Sequence, residues 1–204
     1  MKNHELTRQE KGKLAELIVG GLHRDPEEQV VAVIKSHVQD EYGDLVGDGN
    51  VSIVATDISG YEWKDQLRVP FPATISWRPD IIFRARWRRF IPQSMLEEDS
   101  FWKQSPPFSL SSHIVRSPAR KRREESLECI FGVYYPLEVK SGKKLTLTAQ
   151  QSEALPQVDR DVEYVHPVMA TIDISDLPGA YSLEVTMFDS SDWKDGDSRY
   201  PSTR

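Results

Sequence analysis

At 204 residues, 38% hydrophobic and 28% charged, the chain is long enough for one well-buried core and has the balance of a water-soluble globular domain. Its longest apolar runs, LIVGGL and VVAVI, are too short to cross a bilayer, and residues 1–20 lack the apolar stretch of a secretory signal, so a cytoplasmic protein with no membrane partner is expected. The single cysteine, Cys129, excludes an intrachain disulfide and any zinc site built from several thiolates, and the net charge of −6 would argue against a nucleic-acid partner if it were evenly spread.

Residues 5–23 carry Leu14, Leu17, Ile18 and Leu22 at helical spacing, with Gly20-Gly21 weakening the end. A second helix is expected over 24–43. Asp25 would be its N-cap, Pro26 its first residue, Glu28 an acid in the first turn, and Gly43 its stop; Val30, Val33, Ile34 and Val38 form the apolar stripe. Residues 48–59 and 65–77 look like strands, and RPDIIFRARW continues extended, with Ile81 and Phe83 facing opposite Ile82. Residues 91–126 are rich in Ser, Pro and charge without sustained periodicity, and are read as an inserted basic loop. Strands resume at LECIFGVYYPLEVK, where Pro136 marks a start or a bulge. A helix follows over TAQQSEALPQV, broken near Pro156, then strands at EYVHPVMATIDI and YSLEVTMFD. Residues 1–188 form a single domain and 189–204 a polar tail. The order implies an α/β fold with a mixed central β-sheet flanked by α-helices.

The positive charge is local. Arg84, Arg86, Arg88 and Arg89 cluster in RARWRRF, Arg120, Lys121, Arg122 and Arg123 lie in the insertion, and Lys143 and Lys144 follow the LEVK strand. Such strips suit phosphate contact or a solvated basic face. Trp87, flanked by Arg86 and Arg88, is the tryptophan to test against a nucleic acid. His23, His37, His113 and His166 show no ligand spacing, and no nucleophile-elbow glycine pattern accompanies the serines. Three acid-x-lysine triplets occur: Glu62-Trp63-Lys64, Glu138-Val139-Lys140 and Asp192-Trp193-Lys194. Only the second ends an apolar strand. Leu137 and Val139 take one face of that strand, leaving Glu138 and Lys140 together on the other, as a surface ion pair or as half of a metal-dependent site.

RPDIIF followed by PLEVKSGKKLTLTAQQ resembles the PD-(D/E)xK nuclease superfamily, whose motif is an acid after proline and then acid-x-lysine. The resemblance covers roughly residues 5–23, 75–90 and 130–185 and is nearest to archaeal Holliday junction resolvases and related DNA-repair nucleases. It implies a restriction-endonuclease-like core, with the acids meeting where the sheet forks. It also implies a glutamate on the first helix, matched by Glu16 four residues after Gly12, and a glutamine on the helix after the lysine strand. Gln151, three residues after Thr148, fits that position better than Gln150, although Thr148-x-x-Gln151 is equally a helix capping box.

Phosphodiester hydrolysis calls for a hard cation with oxygen ligands, Mg²⁺ or Mn²⁺. On this reading Asp80, Glu138, the Val139 carbonyl and Glu16 are the metal ligands, and Lys140 orients the attacking water and stabilises the charge that builds on phosphorus. The expected partner is DNA, with a homodimer as an allowed assembly. The competing readings are a non-catalytic nucleic-acid-binding or assembly module on the same fold and, in a third class, a small-molecule-binding α/β protein.

Overall fold

The computed structural model describes residues 6–20, 28–47, 49–56, 72, 75–96, 98, 106, 108–115, 126–142, 147–175 and 181–190. Helix α1 spans Arg8–Gly20 and opens on Thr7, whose hydroxyl accepts from the Glu10 amide while the Glu10 carboxylate accepts from the Thr7 amide. This reciprocal pair satisfies two amides that the first turn leaves orphaned. The buried stripe is Ala15 and Val19, flanked by Leu14 and Ile18, whereas Leu17 is turned to solvent.

Helix α2 spans Glu28–Val46 and buries Val30, Ile34 and Val38 as expected. It does not stop at Gly43. The chain kinks at Tyr42, continues to Val46, and ends at Gly47, which has φ 53° and whose amide bonds the Gly43 carbonyl at 2.8 Å. A glycine that closes a helix must take the left-handed conformation, and Gly47 is the one that does. Asp25 and Pro26 lie outside the described residues.

The strands are β1 (Ser52–Thr56), β2 (Ile81–Pro92), β3 (Phe108–Val115), β4 (Ser126–Ser141), β5 (Val168–Asp173) and β6 (Ser182–Met187). A four-residue helix α3, Gln93–Leu96, follows β2, and α4 spans Ala149–Asp161. They build one mixed sheet of order β1-β2-β4-β5-β6, with β3 also on β4. The segment read as an inserted loop therefore contains a strand. The alternation there is short and interrupted by a register shift between Ser111 and Ile114, which is why periodicity does not reveal it. Residues 75–77, expected as the end of a strand, are not in one.

Strand β4 organises the fold. Along one edge it pairs antiparallel with β2, from Ser126 opposite Pro92 to Leu137 opposite Ile81. Its other edge is divided, with β3 antiparallel over residues 126–131 and β5 parallel over 137–141. Pro136 is neither a start nor a bulge, since the register against β2 runs straight through it. The Leu137 carbonyl turns toward β2, so position 136 points its missing N–H to the other edge, where the pairing with β5 has not yet begun.

The sheet separates two cores. Ile81, Phe83, Ala85, Trp87, Val133, Tyr135, Leu137 and Val139 pack under α1 and α2, whereas Ile82, Tyr134 and Met169 pack with Leu155 and Val158 of α4. Each of the Val, Leu, Ile, Phe and Met side chains among them is worth about 1.5–3 kcal/mol when removed from water. Pro156 is itself buried, and α4 runs five residues past it instead of breaking, because packing against the second core outweighs the lost i−4 bond. None of the described helices is long and apolar enough to cross a membrane.

Candidate functional site

Strand β2 ends its pairing at Ile81, but β4 continues past it for four residues, where β5 is its strand partner among the described residues. The gap so formed is the fork. Asp80 stands at its mouth, donating its amide to the Leu137 carbonyl at 3.0 Å and accepting the Val139 amide on Oδ2 at 2.7 Å. Because an N–H and C=O of one strand residue point to the same side, the Val139 carbonyl also opens into the fork.

Glu138 and Lys140 project from the opposite face to Leu137 and Val139, toward α4. Glu138 is only 3% exposed. Its Oε1 accepts from Lys140 Nζ at 2.8 Å and from the Gln151 carboxamide, and its Oε2 accepts from Trp77 Nε1 at 2.9 Å. Gln151 Oε1 accepts from Lys140 Nζ at 2.9 Å and from the Thr148 amide at 2.9 Å. The Thr148–Gln151 capping box is therefore present, and the same glutamine bridges the acid and the lysine. Gln150 turns away to the carbonyl and hydroxyl of Ser76. That bond ties α4 to the segment carrying Trp77 and Asp80.

Electrostatics set the acids apart from a surface ion pair. Burial, with the Glu138 charge beside it, pushes the Asp80 carboxyl up to about 7; Glu16 adds to the rise, and the Val139 amide and Lys140 oppose it. Glu16, on α1, is near enough for its charge to be felt at Asp80, and its carboxylate is on Lys13 Nζ at 2.8 Å. Among the described residues, no three His, Cys, Asp or Glu side chains converge on a common cation position. Among the described residues the acceptors left open are Asp80 Oδ1, a second lone pair on Glu138 Oε2 and the Val139 carbonyl. An all-oxygen set beside two mutually repelling carboxylates fits a hard divalent cation. A cation there would relieve the repulsion that raises the Asp80 carboxyl.

Trp77 is the site residue that sequence reasoning misses; its type groups it with the core aromatics, and no motif spacing marks an indole as a carboxylate donor. Trp87, conversely, is 1% exposed and stacked on Phe131, with ring centroids 5.5 Å apart, so it is core and out of reach of a nucleic acid. Arg84, Arg86 and Arg88 share the face of Glu138 and Lys140, since their cross-strand partners are Tyr134, Gly132 and Ile130. Arg89 points to the other face. Arg120, Lys121, Arg122, Arg123, Lys143 and Lys144, and the two other acid-x-lysine triplets, lie outside the described residues.

His37 and His166, without ligand spacing in the sequence, meet on the α2 side with ring centroids 4.4 Å apart. Each bonds a tyrosine hydroxyl, His37 Nδ1 to Tyr135 at 3.1 Å and His166 Nε2 to Tyr42 at 2.7 Å. Burial holds the His166 ring down at about 3 and lowers His37 as well. No family model, curated protein or solved structure matches the chain.

Proposed function

We propose that the protein is a metal-dependent DNA nuclease of the PD-(D/E)xK type with a restriction-endonuclease-like core. The observation that carries this reading is the meeting of Asp80, Glu138 and Lys140 at the fork, from positions far apart in the chain. With α2, α3 and β3 as additions between them, the succession α1, β1, β2, β4, α4, β5, three antiparallel strands and then a parallel one, supports it.

Mg²⁺ or Mn²⁺ held by Asp80, Glu138 and the Val139 carbonyl would neutralise phosphate charge and lower the pKa of a water. The chain's own residues do the rest. Lys140 uses two of its three N–H donors on Glu138 and Gln151, leaving the third to orient a water or steady the phosphate oxygens. Gln151 and Trp77 hold Glu138 in place, and the Val139 amide fixes the Asp80 carboxylate toward the fork. Glu16 tunes the field at Asp80 from α1.

A second reading, a non-catalytic nucleic-acid-binding module, is favoured by the engagement of both Glu138 oxygens with protein donors. Incubation with labelled linear, flap and four-way DNA, with Mg²⁺ or Mn²⁺ and then with chelator, decides between them. Metal-dependent cleavage is expected. DNA binding with no cleavage of any substrate would select the binding module.

A further inference from the structure

Helix α4 covers only part of its face of the sheet. Beyond it no described helix covers the face, and Phe90 is 50%, Val54 49% and the Arg88 side chain 72% exposed. Alternation from Ile82 puts Arg84, Arg86 and Arg88 on this face, Arg84 half-buried and Arg86 and Arg88 exposed. Arg84 lies flat, its guanidinium 5.2 Å from the Tyr134 ring centroid. Gly132 makes this possible, because a Cβ there would sit 2.7 Å from the Arg84 nitrogens. Arg86 and Arg88 instead stand at a cavity of about 460 Å³ bounded by Asn50, Ser52, Arg86, Trp87, Arg88 and Ile130. Two arginines, an asparagine and a serine are among these residues, and no acid is. Among the described residues the acid that competes is Glu128, 3.7 Å from Arg88, too long for a good charge-assisted bond and on an exposed partner.

We propose that this cavity is a phosphate anchor for a nucleic-acid backbone, remote from the fork and on the same face of the sheet. The proposal rests on the nuclease reading for what lies at the fork, and on the arginines for what lies here. Guanidinium forks match phosphate oxygens, and two on alternate residues of one strand present themselves side by side. A protein with net charge −6 that collects arginines on one uncovered face has its positive potential where a polyanion would lie.

The spacing names the substrate class. Arg86 and Arg88 are six and eight residues along β2 from Asp80, about 20 and 26 Å at 3.3 Å per residue. At 3.4 Å per base pair that is about 6–8 base pairs. The preferred substrate therefore extends at least that far on one side of the bond to be cut, and a shorter flank cannot engage both points.

The test begins without cleavage. In chelator, duplex binding by fluorescence anisotropy is measured against salt for wild type, Arg86→Ala/Arg88→Ala, and Lys35→Ala as a control for lost charge on α2. The double variant should bind about 10–100-fold more weakly, with a salt slope lower by about 2, one for each phosphate no longer neutralised. Arg86→Lys/Arg88→Lys should restore the slope. An unchanged slope in the alanine pair, an equal loss in Lys35→Ala, or no restoration by lysine would each overturn the anchor.

With metal present, the double alanine variant should raise KM for substrates with long flanks while kcat holds. It should also abolish the advantage of flanks longer than about 8 base pairs over shorter ones. If arginine-dependent binding appears but neither protein cuts any DNA, the anchor stands and the nuclease reading falls. If DNA is cut but the salt slope is unaltered, the nuclease reading stands and the anchor falls.

Discussion

Asp80→Asn should make the metal-free protein more stable while depriving it of activity. The Asp80 carboxyl titrates at about 7 in the fold against an ordinary value of 3.8, chiefly because it is buried beside Glu138. Below 3.8 folded and unfolded chains both hold the proton, and it contributes no difference. As pH rises toward 7 the unfolded chain releases the proton and the folded chain keeps it, so stability falls by about 1.4 kcal/mol per pH unit. Above 7 both have released it and the deficit is constant, at most about 4 kcal/mol. Asparagine keeps an acceptor for the Val139 amide but carries no charge, so it escapes the penalty. Urea unfolding in chelator from pH 4 to 9 should therefore show the Asn variant gaining on wild type between pH 4 and 7 and holding its lead above. Mg²⁺ or Mn²⁺ should raise the wild-type midpoint and close the gap, with little effect on the variant, whose cleavage should be low and partly eased by Mn²⁺. A variant less stable than wild type at pH 8, or a difference that does not change with pH, would refute the reasoning.

Other substitutions separate cap, site and core. Lys140→Ala leaves a nearly buried Glu138 without its cation, so it should cost about 1–3 kcal/mol in urea unfolding and cut single-turnover cleavage by about 10² to 10⁴-fold, with much less loss of DNA affinity. Gln151→Glu keeps a capping-box acceptor for the Thr148 amide but sets a carboxylate against Glu138. Circular dichroism should show α4 retained while activity drops; retained activity would make Gln151 only a cap. Since His166 is held at about 3 in the fold, below its ordinary 6.5, the unfolded chain gains a proton first on acidification. Stability should fall by about 1.4 kcal/mol per pH unit below 6.5, and His166→Phe should flatten that limb.

The alternation of Ile81 and Phe83 against Ile82 was legible in the sequence, and the structure puts them in the two separate cores. The same holds for Glu138 and Lys140 sharing a face and for Thr148 and Gln151 closing a cap. These are relations between residues one to three apart, and backbone geometry alone sets which way such neighbours point. The bond from Trp77 to Glu138 is of another kind. So are the gap that Asp80 enters beside Val139, the meeting of His37 with His166, and the burial of Trp87 between two arginines. Each depends on which strands lie side by side and where β2 stops while β4 goes on. Gly43 and Pro156 carry the local marks of a helix end, yet both helices run on through them, because burial of Val46 in one core and of Pro156 and Val158 in the other outweighs a local preference of about 1–3 kcal/mol. Local preference decided the elements and their faces. The long-range packing of two cores on one divided strand decided where they end and which side chains meet at the fork.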